Sequence, residues 1–138
     1  MNIKQIFTSP KLSIQLQELG VPQNGSFKWV GDVLMDYENI DKDSIKYAES
    51  YGDTIVRALT SSELGEILPY YIETKERLYF LTFDKLTEEN LWGAAYISPD
   101  QETGEKHILE SAVRKTETNS RAALLKKIIN KGHFEIEP

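Results

Sequence analysis

Arg77-Leu-Tyr-Phe-Leu-Thr-Phe83 and Leu91-Trp-Gly-Ala-Ala-Tyr-Ile97 are two aromatic-rich apolar runs joined by a link of hairpin size, Asp84 to Asn90. Aromatic and branched side chains favour a half-buried pleated surface, so both runs read as strands. Pro99-Asp-Gln-Glu-Thr-Gly104 follows as a turn, and Lys106 to Leu109 adds a further antiparallel strand. Consecutive elements usually lie side by side, which predicts a three-stranded meander.

Upstream, Thr60 followed by Glu63 has the spacing of a capping box, in which hydroxyl and carboxylate reciprocally satisfy the backbone donors that open a helix. Leu64, Ile67 and Leu68 give that helix its apolar side, and Pro69 ends it by pushing its predecessor out of the helical region. A second helix is expected over residues 10 to 19, with Ser9 as N-cap and Pro10 in the first turn. Gly20 and Pro22 close it. The alternation of Leu12, Ile14 and Leu16 also fits a short strand, with Ser13 as the cap of a shorter helix.

Gln23-Asn-Gly25 is a turn that launches a strand from Phe27 to Val30, which Val33-Leu-Met35 extends or pairs. Residues 36–53 carry six acidic and two basic side chains with little periodicity and read as a surface loop. Ile55 to Leu59 is a strand or the lead-in to the Thr60 helix. The final helix spans Thr118 to Lys131, with Ala122, Leu125 and Ile129 on one stripe, Leu124 and Ile128 widening it, and Gly132 as its stop. The expected fold is a single α+β domain: a small, mainly antiparallel sheet of three to five strands covered by two or three helices.

The 138 residues suffice for one domain that buries roughly two thirds of its unfolded surface. With no cysteine, the chain has no thiolate chemistry, no disulfide and no cysteine-ligated metal. The first ten residues lack the apolar core of a secretory signal, and no apolar run has the roughly 20 residues a spanning helix needs. A soluble, cytoplasmic protein without membrane contact is the expectation.

The net charge of −6 disfavours nucleic acid as a partner, because nonspecific affinity comes from cations that release phosphate counterions. The charge is uneven. Residues 111–133 hold six basic side chains and only Glu117 on the acidic side, so the last helix is basic on an acidic body.

Only His107 and His133 could act as general bases near neutral pH. Asp41-Lys-Asp43-Ser-Ile-Lys46 opens like a calcium loop, but Lys46 stands where glycine turns the chain and Gly52 where glutamate would bind. Ser61-Ser62 lacks the flanking glycines of a nucleophile elbow, and Gly20, Gly25 and Gly31 are too far apart for a phosphate-cradling loop. We therefore expect no catalytic residues, no cofactor and no metal site. The aromatics on the predicted strands read first as core, and otherwise as a stacking platform beside the basic helix. The residues of that candidate binding surface are Trp29, Trp92, Tyr96, Arg121, Lys127 and Lys131.

Leu16 to Val30, Ala58 to Pro69, and Ser120-Arg-Ala-Ala-Leu-Leu-Lys-Lys-Ile-Ile129 together resemble small uncharacterised proteins of phages and other bacterial mobile elements. The resemblance spans most of the chain and brings no activity or site residues with it. The absence of catalytic groups and the acidic, unspecialised surface point instead to a non-enzymatic accessory or protein-interaction module, whose partner is another protein or a further copy of itself. The alternative is a nucleic-acid-binding accessory that uses the basic helix and the sheet aromatics.

Overall fold

A computed structural model describes residues 3–50, 52 and 54–137. A single 3-10 turn, Ile3–Ile6, precedes α1 (Pro10–Glu18), and then come β1 (Phe27–Val30), β2 (Val33–Asp36), α2 (Lys42–Ser50) and β3 (Ile55–Arg57). The second half holds α3 (Ser61–Ile67), β4 (Tyr71–Glu73), β5 (Leu78–Leu86), β6 (Leu91–Pro99), β7 (Lys106–Arg114) and α4 (Glu117–Asn130). This is an α+β domain built on two antiparallel sheets, ordered β2-β1-β3 and β4-β5-β6-β7.

The meander is longer and wider than expected. β5 and β6 run to Leu86 and from Leu91, leaving a tight connection in which Asn90 takes φ 53°. β7 continues to Arg114, and β4 joins as a fourth strand through Tyr71↔Phe80, Ile72↔Tyr79 and Glu73↔Leu78. Residues 27–36 and 55–57 form their own sheet and do not extend the meander.

The capping signals act as written. Ser9 Oγ accepts from the Leu12 amide, Thr60 Oγ1 accepts from the Glu63 amide, and the Glu63 carboxylate returns a bond to the Thr60 amide at 3.0 Å. Residues 10–18 are helix and not strand, with Gly20 at φ +96° and Gly132 at φ +77° accepting the left-handed turn that ends α1 and α4. Gly25 does not take a positive φ, and Arg57 lies so close that a Cβ there would stand 2.6 Å from Nε. Residues 36–53 are not a plain loop either. Asp36 closes β2, and Asp41 accepts from the Ser44 amide at 2.7 Å to start the nine-residue α2. Tyr51 and Asp53 of that expected loop lie outside the described residues.

α4 lies against the inner face of the large sheet. Ala122, Ala123, Leu124, Leu125 and Ile128 pack there with Leu16, Leu64, Leu68, Ile72, Ala94, Tyr96 and Ala112. A buried leucine or isoleucine contributes about 1.5–3 kcal/mol relative to an exposed one, so Leu124, Leu125 and Ile128 make this helix a major contributor of apolar stabilisation. A smaller cluster of Phe7, Trp29, Val56 and Ala58 sits against the three-stranded sheet. Thr8 is buried beside this smaller cluster with its polar groups satisfied: its amide donates to the Leu59 carbonyl, its Oγ1 accepts from the Leu59 amide, and its carbonyl accepts from the Trp29 indole at 2.7 Å. No helix among the described residues is long and apolar enough to cross a membrane.

Candidate functional site

Two surfaces differ from the rest of the molecule. The first is a cleft of about 740 Å³ where the N-terminal ends of α3 and α4 meet the start of β6. Its walls include Ile6, Ser61, Asn90, Trp92, Lys115 and Thr118. The order of donors inside it follows from proton counting. Thr118 gives its one hydroxyl proton to the Ile6 carbonyl at 2.8 Å, so Ser61 is the donor in the 2.8 Å bond between Ser61 and Thr118. Both hydroxyl protons are committed to holding elements together. Neither histidine lines the cleft, and Glu117 is paired with Arg121 at 2.5 Å. Among the described residues that line it, no hydroxyl has a histidine beside it.

The residues expected to form one binding surface are dispersed. Trp29 (3% exposed) and Tyr96 (0%) are interior, Trp29 through its bond to Thr8 and Tyr96 through a 2.7 Å bond to the Pro69 carbonyl. They cannot stack on a ligand. The side chains of both point into packed clusters because the inner positions of their strands face a core. Trp92 is half-buried at the cleft, with Lys85 Nζ 5.3 Å from its ring centre. Arg121 is held by the Ser61 carbonyl and Glu117, with its guanidinium 3.8 Å from the Phe83 ring, so it fastens α4 to α3 and β5. Lys127 donates to the Ser111 carbonyl on β7, and Lys131 is exposed without an ion pair among the described residues. His107 faces Asp100 at 3.7 Å at the far end of the sheet. Asp100 is held below the usual carboxylate range by the amides of Glu102 and Thr103.

The second surface is the outer face of the large sheet, which the sequence reading missed. Tyr71, Phe80, Ile97 and Ile108 are successive cross-strand partners and form one apolar row over all four strands. Inner-face neighbours are covered, with Ile72 6% and Tyr96 0% exposed, whereas Tyr71 is 53%, Phe80 38% and Ile108 59% exposed. Tyr70, 75% exposed, meets Phe80 edge-on with ring centres 6.2 Å apart. The next row along the strands pairs Glu73 with Leu78 and Pro99 with Lys106, all exposed. The missed signal was local: Tyr70, Tyr71, Leu78 and Phe80 are too many apolar side chains for one face of a sheet whose other face is already core.

No family model, curated protein or solved structure matches this chain.

Proposed function

We propose that this protein is a non-enzymatic accessory module that works by binding another protein, with the outer face of β4–β7 as its contact surface. The observation that carries this reading is the row Tyr71–Phe80–Ile97–Ile108, in which Tyr71, Phe80 and Ile108 are exposed and Ile97 is half-buried. The largest contiguous apolar patch of a domain, when rimmed by polar residues, is often its association site. The partner is a protein surface that is apolar at its centre and carries both signs of charge at its rim, matching Glu73 and Lys106. The sequence resemblance to phage and mobile-element proteins belongs to the same reading.

The test is a photo-crosslinking side chain placed at position 80 in cells, followed by reconstitution of the captured complex from purified components. Phe80→Glu and Ile108→Glu should each weaken the reconstituted complex at least tenfold while leaving the thermal midpoint within a few degrees of the parent. Unchanged binding by both variants sinks the proposal, and so does turnover of a substrate that continues undiminished when the face is blocked.

A further inference from the structure

We infer that the partner seated on this face is a second copy of the chain, related by a two-fold axis that lies between the two sheets and runs along the strands. The inference rests on the reading of the outer face as a contact surface and adds its occupant. It starts from the order of side chains across the sheet. Strands are about 4.8 Å apart, so the row from Tyr71 to Ile108 is roughly 14 Å long and bears no charge. Two positions along from that row, the pairs Glu73↔Leu78 and Pro99↔Lys106 put an acid on β4 and a base on β7. Neither charge has an ion-pair partner among the described residues.

Two sheets stacked face to face about 10 Å apart admit a two-fold axis along the strands or across them. An axis across the strands lays β4 on β4 and β7 on β7, so that Glu73 of one copy and Lys106 of the other stay at opposite edges and do not meet. An axis along the strands reverses their order and lays β4 of one copy on β7 of the other. Tyr71 then covers Ile108, Phe80 covers Ile97, and Glu73 of each copy faces Lys106 of the other. One rotation thus satisfies the apolar rows and pairs both charges twice. Of the two arrangements, only this one is complementary.

The size agrees. The exposed parts of Tyr70, Tyr71, Leu78, Phe80 and Ile108 amount to roughly 500 Å² per copy, against about 800 Å² per partner in a standard interface, and the rim supplies the difference. Two bodies of net charge −6 also repel at long range, and salt screens that repulsion together with the Glu73–Lys106 attractions. An interface below the standard size belongs to the weak, transient class, for which association on the order of 10–100 µM is expected.

Sedimentation velocity on the full chain tests it. The parent should pass from monomer to dimer over that range, and Glu73→Lys and Lys106→Glu should each weaken the dimer roughly tenfold, since each replaces two attractions by two repulsions. Mixing the two variants should restore parental association, because each supplies the charge the other lacks. Circular dichroism of each variant should match the parent. A parent that stays monomeric at about 200 µM overturns the inference, as does a mixture no tighter than the single variants. If the chain is monomeric while Phe80→Glu still abolishes binding to a different crosslinked protein, this inference fails and the contact surface itself stands.

Discussion

Tyr96 donates its hydroxyl proton to the Pro69 carbonyl at 2.7 Å, joining the middle of the large sheet to the residue that ends α3. Burial pushes the phenol pKa upward, so the donor keeps its proton throughout the physiological range. Tyr96→Phe removes the bond and leaves the carbonyl without this partner, at a cost of about 1–2 kcal/mol. Urea denaturation should show a lower midpoint with an unchanged slope.

Glu63 accepts from Arg57 at 2.6 Å and from the Thr60 amide at 3.0 Å. Burial pushes its carboxyl up, but the Arg57 and Thr60 hydrogen bonds and the Arg57 charge outweigh burial and hold it below the ordinary glutamate value of 4.5. A carboxylate lowered in the folded state stabilises fully above its unfolded pKa, and that stabilisation is lost as pH falls through the folded value. Glu63→Gln should therefore flatten the loss of stability as pH falls through and below the ordinary glutamate range, measured by denaturation at each pH against the parent.

Gly25 lies under the Arg57 side chain, and an added Cβ would stand 2.6 Å from Nε and 2.9 Å from Cγ. Gly25→Ala should displace Arg57 and lose its bonds to Glu63 and to the Pro22 carbonyl, at about 1–2 kcal/mol. Because the damage runs through the same ion pair, Gly25→Ala combined with Glu63→Gln should cost less than the sum of the two. Strict additivity would refute that route.

Trp29 is 3% exposed and Trp92 lines the cleft. Acrylamide should quench Trp29→Phe, which retains Trp92, markedly more than Trp92→Phe. Trp29→Phe should also lose about 1–3 kcal/mol, since the Thr8 carbonyl is left without the indole donor in a buried site.

Helix ends were legible because their chemistry is local. Ser9-Pro10, Gly20, Thr60 with Glu63 and Gly132 each settle within a few residues of one another which backbone groups are satisfied and where the turn reverses. The core strands were legible from their side chains, but not which face was inside. Tyr96 and Ile97 are both apolar, and only the position of α4 buries the first and leaves the second on the outer row. β4 escaped notice because three residues are too few to show a period, and its partner follows only after the turn closed by Thr74 and Arg77. α2 was hidden by its charges, and its start rests on one side chain, Asp41. The cleft draws on residues near 6, 61, 90 and 117, which no reading of adjacent residues could assemble.

α4 supplies five of the large core's buried side chains yet follows every strand in chain order. Its first turn is also tied to the opposite end of the sequence, by Thr118 to the Ile6 carbonyl and by Asn119 to the Ser9 amide. During synthesis the inner side of the meander therefore leaves the ribosome uncovered and stays so until this helix has emerged. Chain order thus predicts an adhesive interval for the nascent chain that closes when this helix docks, and a yield in cells that should rise with chaperone supply.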